Sequence, residues 1–123
     1  MSNAISWFEI PVKNFERAKS FYKTMLATEI TDHHMDHAKY GVFAYDEDNN
    51  KVGGAIIEMA DAEPSTQGTT VYLNGGNDLG VPLSRVESSG GKILMPKTDI
   101  GENGYMAQIL DTEGNKIALH SWS

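Results

Sequence analysis

The strongest constraint on this chain's fold is an order of elements written twice. "ISWFEIPV" (5–12) alternates, with Phe8, Ile10 and Val12 on one side and Trp7, Glu9 and Pro11 on the other, as in a strand with one buried face. "NFERAKSFYKTML" follows, with Asn14 placed to cap a helix, Glu16 in its first turn, and Phe15, Ala18, Phe21, Tyr22 and Met25 at helical spacing. That stripe needs an apolar surface to cover, and the face of Phe8, Ile10 and Val12 supplies it. Three strand candidates come next, "TEITDHH", "AKYGVFAY" and "VGGAIIEM", the last pair separated by the turn-rich "DEDNN".

After "ADAEPSTQG", rich in turn formers and acidic residues, the order recurs. "TTVYLN" is a strand, and "NDLGVPLSRVESSGG" is expected to form a helix capped by Asn77 or Asp78. Leu79, Leu83 and Val86 are its apolar stripe, Pro82 lies early in it, and "GG" stops it. "KILMPKT", "YMAQILD" and "NKIALHSW" complete the set, at a repeat of about sixty residues. The chain reads as one α+β domain, residues 1–123, of two tandem β-α-β-β-β modules. These span about 4–60 and about 68–123, with a linker at about 61–67.

Seventeen acidic residues against ten basic ones give a net charge of −7, with no basic run, which disfavours a nucleic-acid partner. A neutral or cationic small molecule is compatible with that charge. Without cysteine there are no disulfides, thiolate nucleophiles or cysteine-held zinc. No segment has the length and apolarity of a membrane span or the pattern of a leader, so a cytoplasmic protein is expected.

Each helix covers one face of its sheet, and alternation assigns the other face. It carries Trp7 and Glu9 from the first strand, Thr70 and Tyr72 from its repeat, and Ala118, His120 and Trp122 from the last. Aromatic, acidic and imidazole groups together suggest a ligand cavity. Trp7, Tyr72 and Trp122 suit stacking on a planar or cationic ligand, or else packing at an interface. Glu9 and His120 suit pairing, cation binding or acid–base work, or else a structural hydrogen bond under the cavity floor.

"FEIPVKNFERAKSFYKTML", "LSRVESSGGKILMPKTDIGENGYMAQILDTEGNKIAL" and the duplicated element order resemble the vicinal oxygen chelate superfamily. That superfamily includes glyoxalase I, extradiol dioxygenases, fosfomycin-resistance enzymes and bleomycin-resistance proteins. The resemblance spans nearly the whole chain, and its more specific carrier is "GGKILMPKTDIGENGYMAQILDTEGN", which aligns a strand, a hairpin and a D-x-x-G-N turn (Asp111, Gly114 and Asn115) in one frame. It implies modules forming a curved mixed sheet around a cleft, usually within a homodimer. In the family's metal enzymes His, Gln or Glu ligands come from the first and last strands of each module. Those positions fall here on Trp7, about Gly54, Thr70 and Ala118, none a good ligand for a divalent ion.

A metal-independent small-molecule-binding protein of the bleomycin-resistance type is therefore the leading expectation, with no cofactor. A lyase-, isomerase- or dioxygenase-like enzyme is the alternative, using Glu9 and His120 or a divalent metal. The other candidate metal site is "DHHMDH" (32–37). Alternation puts His33 and His37 on one side and His34 on the other, so three imidazoles converge only if a turn falls inside the stretch. A solvated hairpin is the simpler expectation. Asp46, Asp48 and Asn50 have calcium-loop spacing, but Lys51 and Ile57 stand where that loop needs Gly and Glu. "NGGNDLG" lacks the ending of a phosphate loop.

Overall fold

The computed structural model describes residues 4–45 and 52–123. The calcium-loop spacing of "DEDNN" therefore lies outside the described residues. Module 1 consists of β1 (Trp7–Pro11), α1 (Phe15–Leu26), β2 (Ile30–Asp32), β3 (Lys39–Phe43) and β4 (Gly53–Glu58). Its sheet has the order β1-β4-β3-β2, with β1 parallel to β4 and the other pairs antiparallel. Module 2 contains β5 (Tyr72–Asn74), α2 (Gly80–Leu83), β6 (Lys92–Asp99), β7 (Tyr105–Leu110) and β8 (Lys116–Ser121), in the order β5-β8-β7-β6. The duplication extends to register, since Tyr72 opposite Ala118 repeats Glu9 opposite Ala55.

The first helix forms as its spacing dictates. Asn14 accepts a hydrogen bond from the Arg17 N–H, Ala27 closes the C-terminus in the left-handed region, and Phe15, Ala18, Phe21, Tyr22 and Met25 are buried. The second helix differs from expectation. Only Gly80–Leu83 is α-helical, followed by turns and a 3-10 turn at Glu87–Ser89. Pro82 cannot donate within that turn, and Gly80, Ser88, Ser89 and Gly90 contribute little helix propensity. The N-cap residue is Leu79, with no side-chain capping bond, in place of Asn77 or Asp78, and the Asp78 carboxylate accepts the Gly80 N–H just before the turn. The stripe of Leu79, Leu83 and Val86 is buried despite the broken helix.

The two modules share one core. Ile10, Val12, Phe43 and Ile56 of sheet 1 join Leu73, Ala107, Ile109, Ile117 and Leu119 of sheet 2, with α1 contributing its whole stripe. Both sheets thus turn their inner faces towards the same apolar layer, and their outer faces look away from it. Dispersion and burial of these side chains hold the layer together, at about 25 cal/mol per Å² of apolar surface removed from water.

A polar latch locks the modules at one side of that layer, and it is built from the D-x-x-G-N turn. The Tyr22 hydroxyl of α1 donates to Asp111 Oδ2 at 2.6 Å. Asp111 also receives the backbone N–H groups of Glu113 and Asn115, and the Asn115 amide. Asn115 Nδ2 in turn donates to the Pro11 carbonyl of β1 at 2.7 Å. Burial and the neighbouring Asp111 carboxylate push the Tyr22 phenol well above its ordinary pKa, so it remains a donor. Glu113, whose side chain has no exposed surface, accepts from the N–H groups of Lys13 and Asn14 and pairs with Arg17 at 2.8 Å. Burial pushes that carboxyl up. The Arg17 guanidinium, the Asn14 and Lys13 N–H groups and the Thr112 hydroxyl outweigh burial and hold it below its usual value. Among the described residues no buried side-chain polar atom lacks a partner.

Candidate functional site

The outer face of sheet 1 carries Trp7 and Glu9, both exposed, together with Ala55, Ile57, Tyr40 and Val42 from the neighbouring strands. Glu9 sits beside Ala55, with Val42 one strand further, and its carboxylate has no hydrogen-bond partner among the described residues. The outer face of sheet 2 has two rows across its strands. One runs Asn74, His120, Met106 and Thr98, and the next runs Tyr72, Ala118, Gln108 and Met95.

His120 is the most fixed side chain on that face. Its Nε2 lies 2.6 Å from the Asn103 carbonyl, and its ring meets Trp122 edge-on at a centroid distance of 4.7 Å. The carbonyl arrives on a 3-10 turn, Gly101–Asn103, closed by Gly104 at φ 95° and ψ −129°, a region open essentially to glycine. A Cβ there would stand 2.4 Å from the Ser121 carbonyl oxygen, so only glycine lets the turn approach the end of β8. Tyr72, Asn74, His120 and Trp122 line a cavity of about 380 Å³.

Trp7 and Glu9 are thus together on one face, and Tyr72, His120 and Trp122 on the other. The cavity lined by Tyr72, His120 and Trp122 includes neither Trp7 nor Glu9. Sequence parity identified the face of each residue. The orientation of one module relative to the other, set by the contacts of α1 and the D-x-x-G-N latch, carries no periodic signal. Asn74 and Gln108 were missed, although Asn74 sits two residues from Tyr72, which alternation assigns to the same face. The Asn103 carbonyl was missed because it belongs to the backbone; the "ENGY" turn was its only signal.

The histidine stretch contains the turn that alternation left open. Met35 and Ala38 bridge each other with Asp36 and His37 between them, and the His33 N–H bonds the Tyr40 carbonyl. The turn disperses the imidazoles. His34 packs edge-on against Phe15 and lies 3.5 Å from Asp32, while His37 lines a separate groove beside Lys39 and Glu58. Asp32 is held below its ordinary pKa by its hydrogen bond to Lys19 at 2.7 Å. Among the described residues no three His, Asp or Glu side chains are grouped to hold a metal ion.

The ligand positions implied by the resemblance change at one place in the structure. Gly54 faces inward, where a Cβ would strike the Phe8 ring at 2.4 Å, so the internal repeat assigns the β4 position to Ala55, the counterpart of Ala118. The set becomes Trp7, Ala55, Thr70 and Ala118, offering one hydroxyl and no carboxylate or imidazole. These residues do not fit a divalent ion.

Between the modules, on the side of β1 and β5, runs a crevice of about 1240 Å³. Ile5, Tyr45, Tyr72 and Val81 are large exposed apolar residues along it, and Phe8, Leu26 and Phe43 lie deeper. Both β1 and β5 are edge strands.

Two tandem β-α-β-β-β modules with open outer faces define an α+β protein of the glyoxalase-like fold class. The family model described as Glyoxalase/Bleomycin resistance protein/Dioxygenase superfamily matches residues 4–119, and the chain belongs to that superfamily. It is 26% identical over 117 residues to proteins of Mycobacterium bovis and Mycobacterium tuberculosis provisionally named glyoxylase CFP32. The match covers 93% of this chain and 44% of theirs, so the chain spans less than half their length. Among solved structures, a glyoxalase/bleomycin resistance protein from Streptomyces sp. CB03234 superposes with a TM-score of 0.71 at 21% identity, over 96% of this chain and 100% of that one. TnmS3, an antibiotic binding protein from the same organism, gives 0.65 at 21% identity over 100% and 99%. A variant of glyoxalase I from Zea mays gives 0.70 at 17% identity over 94% and 45%. These likenesses concern the fold. Among the described residues no helix is long and apolar enough to cross a membrane.

Proposed function

We propose that this is a cytoplasmic small-molecule-binding protein, acting without a metal, that holds its ligand between sheet 1 of one protomer and sheet 2 of a second copy. One observation carries the reading. Aromatic and hydrogen-bonding side chains stand on two outward faces that share no cavity among the described residues, Trp7 and Glu9 on one and Tyr72, His120 and Trp122 on the other, beside the positions of Ala55, Thr70 and Ala118. The crevice supports the homodimer, because exposed apolar residues beside two unpaired strand edges favour association. Glu9 with Trp7 would receive a cationic or aromatic group, and Tyr72, His120 and Trp122 of the partner would close over it.

Trp7 and Trp122 are the only tryptophans, so intrinsic fluorescence reports on both walls. Titration of metal-stripped protein with metal-free bleomycin and a panel of cationic aromatic antibiotics should give saturable quenching that a chelator leaves unchanged. Binding that requires a stoichiometric metal, measured by elemental analysis after reloading, contradicts the reading, as does the absence of saturable binding across the panel. A second reading, a lyase- or isomerase-like enzyme, draws on the fixed ring of His120. It requires turnover that Glu9→Gln or His120→Ala abolishes.

A further inference from the structure

We propose that His120 and Asn74 form a donor–acceptor pair that recognises the edge of a planar lactam or other cis-amide, an N–H beside a C=O. The inference rests on the binding reading above and names the chemistry of one wall. A carbonyl oxygen has no proton to give, so the Asn103 contact requires the proton on His120 Nε2. In neutral imidazole Nδ1 then carries a bare lone pair, and no partner for it is found among the described residues. Asn74 is fixed in the complementary sense. Its Oδ1 accepts the Gly76 N–H at 2.8 Å, which leaves the two N–H donors of Nδ2.

Asn74 and His120 are register partners on adjacent parallel strands, whose spacing is about 4.8 Å. Both line the same 380 Å³ cavity. Presented from neighbouring strands into one cavity, one acceptor and one donor are complementary to the adjacent N–H and C=O groups of a flat ligand. Tyr72 and Trp122, exposed in the same cavity, offer faces for its ring. The arrangement is pre-organised, since the strained Gly104, the Asn103 carbonyl and the Trp122 contact all fix the imidazole before any ligand arrives.

The test compares 2-quinolone, a planar bicyclic lactam, with 1-methyl-2-quinolone, which lacks the N–H. The wild-type protein should quench on binding 2-quinolone and bind the methylated compound at least tenfold more weakly. Asn74→Asp keeps the acceptor for Gly76 and removes the donor, and should cost 2-quinolone about tenfold. A long-range proton–nitrogen NMR spectrum at neutral pH should show His120 protonated at Nε2 and bare at Nδ1, without any ligand. Equal binding of the two quinolones, or a proton on Nδ1, overturns the pair while leaving bleomycin binding as the measure of the cleft. Lactam preference that persists when bleomycin fails to bind supports the pair and removes the shared cleft.

Discussion

The latch at Asp111 and the outer faces of the sheets use similar side chains to opposite ends. At the latch, Tyr22, Asp111, Glu113 and Asn115 meet one another and backbone groups of both modules, leaving no buried polar atom without a partner among the described residues. On the faces, Trp7, Glu9, Tyr72 and Trp122 are exposed, and Glu9 has no partner among the described residues. The D-x-x-G-N motif of the sequence thus serves to join the modules. The residues proposed to meet a ligand are those on the outer faces. His120 belongs to both classes, anchored at one nitrogen and free at the other.

That contrast can be broken by mutation. Asp111→Ala strands the Tyr22 hydroxyl and two backbone N–H groups and removes one of the two bonds of the Asn115 amide, and should cost about 3–4 kcal/mol in chemical denaturation. Glu113→Gln removes the charge from five hydrogen bonds, two of them in the Arg17 ion pair, and should cost about 2 kcal/mol. Its pH dependence has a definite sign. The folded-state pKa of Glu113 lies below its unfolded value, so its contribution is present above the unfolded value, about 4.3, and is lost as pH falls through the folded one. Stability of the wild type should therefore decline more steeply below about pH 4.3 than that of Glu113→Gln. Tyr22→Phe should cost about 1–2 kcal/mol, because Asp111 Oδ2 keeps its bond from Asn115. Glu9→Gln and His120→Ala should change stability by no more than about 0.5 kcal/mol while weakening ligand binding. A face residue that unfolds the protein, or a latch residue that is neutral, would dissolve the distinction.

The sequence made the first module legible almost residue by residue. Asn14, the buried stripe from Phe15 to Met25 and the alternation of Trp7 to Val12 are local signals, and the structure follows them. The second helix was overstated because Leu79, Leu83 and Val86 keep helical spacing through a segment that Pro82 and the glycines prevent from being a continuous helix. Face parity was also legible, which placed Glu9, Tyr72 and His120 on outer faces. Three features were out of reach. The latch links residues nearly ninety positions apart, the Asn103 contact is made by a carbonyl, and the mutual orientation of the modules follows from packing. Tyr22 offered one overlooked clue, since a tyrosine in a buried helical stripe needs a partner for its hydroxyl.

The proposed cleft, shared between two copies, is tested most directly by complementation. Glu9→Gln disables one wall and His120→Ala the other, so each homodimer should bind bleomycin at least tenfold more weakly than the wild type. After subunit exchange, a mixed dimer carries one cleft with both walls intact and one with neither. The account predicts that mixing the two variants restores wild-type affinity at about one site per mixed dimer. Mixtures that bind no better than their parents, or a chain that sediments as a monomer while binding normally, would contradict it.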